Sequence, residues 1–232
     1  MISARHKLLL VETPPFGAIS RLGFRESIGL APDDCLILQP TRIVQRKGIE
    51  TSIELIRRLD DPRCKLVITH GSGDEGHAHA ARVRQYADLL GVEFILAEPW
   101  ISSHRGTTPE GRKLYTIWDV YTHADFVTYP TTYEGFGNAF HEAVYSKKPI
   151  LCNLYGIYRT DIAPCGFEEI LMDGFLTDDV VDQVRRVLTD AQQHRAMVEH
   201  NYQIARQYLS YDRVETELRA LLAKPRLAPG HE

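Results

Sequence analysis

The sequence predicts an α/β protein built on a parallel sheet that carries helices on both of its faces. Short apolar runs alternate along the chain with amphipathic stretches, and this alternation is typical of a parallel sheet with helical crossovers. The apolar runs are continuous rather than alternating in hydropathy, which indicates strands that are covered on both faces. The 232 residues, 44% of them hydrophobic, are enough for one large domain.

The strands and helices can be located from these patterns. Strands are predicted at residues 35–41, 65–70, 92–97, 125–130 and 149–153, with a possible sixth at 168–172. Ile49, Ile53 and Ile56 recur at helical spacing and predict a helix over residues 48–59. Further helices are expected over residues 75–91, 114–123, 177–189, 191–208 and 211–223, with Asp178 or Asp212 as a helix cap.

These elements define one domain over residues 31–223. Residues 1–30 read as an irregular N-terminal segment or linker, and residues 224–232 read as a tail. A long polar loop over residues 98–112 interrupts the regular alternation.

The composition excludes several classes of partner and site. A formal net charge of −4 favours neither nucleic acid nor an anionic membrane as a partner. No apolar run reaches the roughly 18 residues of a membrane span, and residues 8–11 are too short for a signal-peptide core. We therefore expect a cytoplasmic protein. The four cysteines form no C-x-x-C pair, so neither zinc nor a redox pair is indicated.

Ligands of such sheets bind where the strands end at their carboxyl side, and cations follow the first strand. Arg42, Arg46 and Lys47 precede the helix over residues 48–59. A helix N-terminus and arginine side chains together bind phosphate well. The alternative is a solvated basic loop without a ligand.

The second strand is followed by glycines and histidines. Gly71 and Gly73 would allow a ligand to approach the backbone, although glycine is common in such turns. His70, His77 and His79, with Asp74 and Glu75, could suggest a metal site. His77 and His79 are two residues apart and would point in different directions on a helix. We therefore predict no metal site.

The fourth strand leads into two glutamates, Glu134 and Glu142, with seven residues between them. Gly135 and Gly137 form a turn with accessible amides, and Asn138 is the expected N-cap of the next helix. A diphosphate could lie across these amides while the carboxylates accept hydrogen bonds from sugar and ribose hydroxyls. The alternative is that Glu142 is an ordinary helix-start acid and Glu134 a surface loop residue.

A resemblance to a known family connects these segments. The stretch E-G-F-G-N at residues 134–138 with Glu142, between YPTTY and AVYSKKPIL, resembles the Glu-x7-Glu motif of family 4 retaining GT-B glycosyltransferases. LQPTRIVQRKGIETSIELIRRL resembles that family's donor-phosphate segment, and YTHADFVTYP its strand leading into the motif. The match covers roughly residues 30–223 and corresponds to the family's C-terminal, Rossmann-like, nucleotide-sugar-binding domain, that is, a single GT-B half with C-terminal helices.

The resemblance implies a role for each matching segment. Arg42 and Lys47 would hold the donor diphosphate, Glu134 the hydroxyls of the transferred sugar, and Glu142 the ribose hydroxyls. The remaining contacts to sugar, phosphate and base would come from Gly135, Phe136, Gly137, Asn138, Gly71, Phe94 and Leu96. The implied reaction transfers a sugar with retention at the anomeric carbon and needs no cofactor or metal. The donor would be GDP-mannose or of the UDP- or ADP-glucose type.

Two segments depart from the family pattern. Residues 153–175, with Tyr155, Tyr158 and Arg159, replace a loop of small residues that closes over the sugar, and they could instead form a core wall. The loop with His104, Arg105 and the following Lys113 could reach an acidic acceptor or be a surface excursion.

The length of the chain leaves the acceptor side open. The family has an N-terminal acceptor-binding domain of similar size, which thirty irregular residues cannot form, so a separate acceptor-binding domain or subunit is expected. The alternatives are a non-catalytic nucleotide-sugar-binding module or partner subunit, and a nucleotide-sugar epimerase.

Overall fold

The structure, a computed structural model, describes residues 23–73 and 77–222. Asp74, Glu75 and the segments 1–22 and 223–232 lie outside the described residues, as does the side chain of the predicted cap Asp212. The strands are β1 (Cys35–Arg42), β2 (Cys64–His70), β3 (Phe94–Leu96), β4 (Gly106–Thr107), β5 (Lys113–Leu114), β6 (Phe126–Tyr129), β7 (Ile150–Asn153) and β8 (Ile170–Met172). The α-helices are α1 (Phe24–Ser27), α2 (Ile49–Leu59), α3 (His77–Leu90), α4 (Ile117–His123), α5 (Asn138–Tyr145), α6 (Asp178–Thr189), α7 (Ala191–Leu209) and α8 (Tyr211–Leu222).

Six parallel strands form one sheet in the order β3-β2-β1-β6-β7-β8. The predicted parallel sheet and its sixth strand are therefore confirmed. The chain leaves β1 towards β2 and β3 and returns to the other side of β1 with β6. The strand order reverses between β1 and β6, and the carboxyl ends of such a pair open into a crevice that suits ligands.

The hydrophobic core lies in two layers, one on each face of the sheet. In β1, Ile37 packs into the layer under α2, α3 and α6, whereas Leu36 and Leu38 pack into the layer under α4 and α5. All three side chains are fully buried. This explains why the strand is apolar at successive positions, because both faces of the sheet are covered.

Short elements differ from the sequence predictions at several ends. The predicted irregular segment 1–30 contains α1, whose Phe24 is fully buried and packs edge-on to Tyr115 at 5.3 Å. The helix predicted from residue 114 begins at Ile117 instead, because Lys113–Leu114 pairs with Gly106–Thr107 in an antiparallel hairpin.

Two predicted helix caps are also wrong by one residue. Thr177, not Asp178, caps α6, since its side chain accepts a hydrogen bond from the Val180 amide at 3.2 Å. Asp178 is the first helical residue, and its carboxylate pairs with Arg58 at 2.5 Å. Gly137, not Asn138, occupies the N-cap position of α5, with a φ of 86° that favours glycine.

The long polar loop is ordered by a buried carboxylate. Thr116 and Asp119 form a reciprocal capping box at the start of α4. Arg105 donates to both oxygens of the same Asp119 carboxylate, and Asp119 is only 4% exposed. The hairpin is thereby joined to the helix, so Arg105 has a structural partner within the chain. Across residues 23–73 and 77–222, no helix is long and apolar enough to cross a membrane.

Gly48 is a position where a side chain should be costly. Its φ is 63°, and a Cβ there would lie 2.6 Å from the Pro130 carbonyl oxygen. Gly91 has a φ of 65° but no atom within 4 Å of its Cβ position. We expect Gly91→Ala to lower the free energy of unfolding by about 1–2 kcal/mol through left-handed strain. Gly48→Ala should lower it clearly more, as measured by urea denaturation, and an equal loss in both variants would contradict the close contact.

Candidate functional site

The loops that follow β1 and β6 are bonded to each other at the crevice. The Thr132 amide donates to the Arg46 carbonyl oxygen at 2.8 Å, and the Thr131 hydroxyl donates to the same oxygen at 3.1 Å. The buried Gln39 side chain donates to the Lys47 carbonyl oxygen at 2.9 Å. The backbone that carries both basic side chains is therefore held in place from two directions.

Glu134 lies at the centre of this arrangement. Its Oε1 accepts from Arg46 at 2.7 Å, from Lys47, and from the Thr131 hydroxyl at 3.3 Å. The side chains of Glu134 and Lys47 are only 14% and 12% exposed. Glu134 and Lys47 come from separate segments of the chain, and the sequence assigned both to the same ligand. The structure brings these two residues together.

The charges in this cluster shift the pKa values of its members. Burial alone would raise the pKa of Glu134, but the hydrogen bonds and charges of Lys47 and Arg46 outweigh it and hold the pKa below its ordinary value. Burial lowers the pKa of Lys47, and Glu134 opposes that effect. Arg42 is exposed nearby, and no carboxylate within the described part of the chain pairs with it. Two cations therefore pair with one carboxylate, and Arg42 adds a third positive charge near Lys47, which leaves positive charge for an anionic ligand.

The turn between the glutamates offers backbone amides. Gly135 has no atom within 4 Å of its Cβ position, and Asn138 is exposed in the first turn of α5. The first amides of a helix have no intrahelical acceptor and favour anions. At Gly137 a Cβ would collide with the Tyr155 hydroxyl, so only glycine fits against that ring. Phe136 stacks on the buried His141 ring at 4.3 Å rather than pointing into the turn.

Glu142 occupies a different environment from Glu134. Its Oε2 lies 3.0 Å from the hydroxyl of the fully buried Tyr121. Burial raises the pKa of Glu142, and the Tyr121 hydrogen bond only partly offsets that rise. The two glutamates therefore have separate partners on opposite sides of the turn, Glu134 among cations and Glu142 beside a tyrosine.

A cavity of about 390 Å³ opens at the carboxyl ends of β2 and β3, beside the start of α4. It is lined by Thr69, His70, Glu98, Ile101, Ser102, Ser103, Thr116, Ile117 and Trp118. Burial lowers the pKa of His70, and Glu98 and Arg42 act on it with opposite signs. His70 therefore lies between the cavity and the basic loop, which is the segment after β1 that carries Arg42, Arg46 and Lys47.

The sequence located this cavity only in part. Phe94 and Leu96, expected to line a base, pack instead against the core layer under α2 and α3 and are not among the lining residues. Gly71 has a different neighbour from the expected ligand, since a Cβ there would lie 2.6 Å from Glu98 Oε2. The lining residues that the sequence did not single out include Glu98, which follows the end of β3. This position agrees with the general preference of ligands for the carboxyl ends of the strands in such sheets.

The segment after β7 forms part of the core. Tyr155 and Tyr158 are 2% and 1% exposed, in the layer with Phe140, while Arg159 pairs with Asp173 at 2.7 Å on the surface. The structure thus favours the core-wall interpretation of this departure. In the described ranges, no group of three or more His, Cys, Asp or Glu could hold a metal ion.

No family model matches the chain. The chain is 27% identical over 220 residues to mannosylglucosylglycerate synthase from Thermotoga maritima, which covers 82% of this chain. It spans only 49% of that relative, so about half of the relative's length has no counterpart here.

Solved structures show the same half-length match. HepE from Anabaena, solved with UDP and glucose, is 17% identical, with a TM-score of 0.68 over 89% of this chain and 52% of that chain. The C-terminal domain of the glycosyl transferase group 1 family protein LpcC from Francisella tularensis has a TM-score of 0.60 at 16% identity. The match covers 82% of this chain and 94% of that domain. The chain therefore has the fold of one half of a GT-B glycosyltransferase.

Glu142→Gln should stabilise the unliganded protein. The pKa of Glu142 is raised in the folded protein. The buried carboxylate therefore lowers the free energy of unfolding at pH values above the folded-state pKa, and this cost is absent at pH values below the ordinary pKa of 4.5. The variant should therefore melt at a higher temperature than the parent at neutral pH. The difference should shrink as the pH falls, which thermal melts across the pH range would measure.

Glu134→Gln should have the opposite sign. Its lowered pKa contributes stability that is fully present above about 4.5 and is lost as the pH falls through the folded-state value. We expect a loss of about 1–3 kcal/mol at neutral pH, since a hydrogen-bonded charge pair is broken. Denaturant unfolding at several pH values measures this loss, and a neutral effect at pH about 7 would contradict the assigned pairing.

Proposed function

We propose that this chain is the donor-binding half of a retaining glycosyltransferase and binds a nucleoside-diphosphate sugar. The observation that carries the proposal is the cluster of Glu134 with Lys47 and Arg46. In this cluster two cations are bonded to the residue that precedes the Gly135–Asn138 turn. A cavity of about 390 Å³ opens at the carboxyl end of β2, the strand that neighbours β1. A nucleoside-diphosphate sugar carries an aromatic base, an anionic diphosphate and neutral hydroxyls in that order. The cavity, the cations and the Glu134 carboxylate would receive these three parts.

In this proposal the diphosphate lies between the basic loop and the turn before α5. Arg42, which pairs with no carboxylate among the described residues, can form a bidentate contact with phosphate. Lys47 can contact phosphate and Glu134 at the same time through its three donors. The Glu134 carboxylate, fixed by its cations, accepts from hydroxyls of the transferred sugar. The helix-start amides at Asn138 supplement these charges.

The proposed reaction breaks the bond between the anomeric carbon and the diphosphate oxygen. The oxygen of an acceptor hydroxyl bonds to the same face of that carbon, and the hydroxyl proton passes to the departing diphosphate. Negative charge grows on the departing nucleoside diphosphate during this step. Preoriented cations and amides lower the barrier because they are directed at the place where the charge develops. In this scheme the Glu134 carboxylate accepts hydrogen bonds from sugar hydroxyls and does not act as a nucleophile.

The acceptor is proposed to come from a second domain or subunit that faces this edge of the sheet. The half-length matches to the Thermotoga relative and to HepE support that arrangement. A non-catalytic nucleotide-sugar-binding module fits the same half-length match. An assay of sugar transfer with the acceptor-binding domain or subunit added distinguishes the catalytic half from the non-catalytic module. A module would bind the donor without transferring its sugar.

Lys47→Ala should weaken nucleoside diphosphate binding by about tenfold or more, because a charge-assisted hydrogen bond to phosphate is lost. Arg42→Ala should have a similar effect. Arg57→Ala is the matched control, since Arg57 is exposed on α2 in the turn farthest from the basic loop. Isothermal titration calorimetry with GDP, UDP and ADP measures these affinities.

The proposal fails if none of the three nucleotides binds the parent protein. It also fails if both site variants bind as tightly as Arg57→Ala does. A thermal shift of the parent protein with the bound nucleotide provides an independent readout, because a ligand that binds only the folded state raises the melting temperature.

A further inference from the structure

We propose that Glu98 is the residue that selects the nucleotide base, and that it selects guanine. This inference rests on the proposed donor site and names the base that the cavity beside it accepts. It concerns a residue that the sequence did not single out, in a loop outside the segments that hold the diphosphate.

Glu98 is the one carboxylate among the residues that line the cavity. It opens the short 3-10 helix Glu98–Trp100 directly after β3, at the carboxyl edge of the sheet. Glu98 is exposed, and within residues 23–73 and 77–222 no cation pairs with its carboxylate and no donor bonds to the carboxylate oxygens. The carboxylate is thus available to a ligand.

The position of this carboxylate is possible because residue 71 is a glycine. Both Glu98 oxygens and its Cδ lie 2.6–3.2 Å from the place that a Cβ on Gly71 would occupy. A side chain at residue 71 would displace the carboxylate from the end of β2. The absence of a side chain there therefore allows the acceptor pair to lie against the wall of the cavity.

A carboxylate can only accept hydrogen bonds, and it presents two oxygens side by side. Guanine carries two adjacent donors, N1–H and the N2 amino group, which match these two oxygens in one plane. Uracil has one N–H between two carbonyl oxygens, so the second carboxylate oxygen would face a carbonyl. Adenine offers only its N6 amino group with acceptor nitrogens on either side. Of the three bases, guanine alone satisfies both oxygens.

The remaining walls suit a purine. Trp118, Ile101 and Ile117 supply apolar surface for the flat ring, and the hydroxyls of Ser102 and Ser103 can donate to its carbonyl oxygen or accept from the ribose. The volume of about 390 Å³ lies in the range of roughly 300–1,000 Å³ that is typical of small-molecule sites. A base that leaves the Glu98 carboxylate desolvated and unpaired is disfavoured.

The test compares GDP, UDP and ADP on the parent protein and on Glu98→Gln by calorimetry. We expect GDP to bind the parent at least tenfold more tightly than UDP or ADP. Glu98→Gln should lose most of that preference, because the amide nitrogen of glutamine donates and faces a guanine donor. Its binding of UDP and ADP should change little, since the diphosphate contacts remain.

Glu93→Gln is the matched control, since Glu93 is exposed, lies five residues away and does not line the cavity. It should keep the parent's preference for GDP. If UDP or ADP binds the parent as well as GDP does, the inference is overturned while the donor site stands. A GDP preference that survives in Glu98→Gln also overturns it. Absence of binding by all three nucleotides overturns the donor site itself.

Discussion

The contact of one carboxylate with two cations holds the candidate site together. Glu134 follows β6, and Arg46 and Lys47 follow β1, so their pairing joins the two loops that flank the reversal in strand order. The threonine hydrogen bonds to the Arg46 carbonyl oxygen reinforce the same junction. The carboxylate lowers the desolvation cost of Lys47 and Arg46 in a partly buried position. Two cations can then be kept close together at the carboxyl end of the sheet without unfolding the loops.

The two glutamates of the turn show how a short segment can carry two different electrostatic roles. The cations around Glu134 lower its pKa, whereas burial beside Tyr121 raises the pKa of Glu142 and makes its charged form costly. Such a cost is typical of groups that are retained for binding rather than for stability. The opposite directions of their pKa shifts distinguish Glu134 from Glu142, whereas the spacing of the two glutamates in the sequence does not.

The order of strands and helices follows from hydropathy because the central strands of the parallel sheet are covered on both faces and α2 has one apolar side. Glu134, Lys47 and Arg42 could be grouped because parallel strands bring their carboxyl ends to one edge. The cavity wall was harder to find, since Glu98 and Trp118 are separated by a short hairpin and turns whose sequence shows no periodic pattern of hydropathy. The helix caps Thr177 and Gly137 lie next to the predicted residues, because several capping residues adjoin one another and only backbone geometry selects among them.

The buried Asp119 has a consequence for how this fold could change over time. It holds the hairpin through Arg105 and the start of α4 through Thr116, independently of the Glu134 cluster. Residues 98–118 thus have an anchor that is separate from the cluster of Glu134, Arg46 and Lys47. Substitutions in this segment would alter the walls of the cavity and leave that cluster intact. The two parts of the candidate site can therefore change independently of each other.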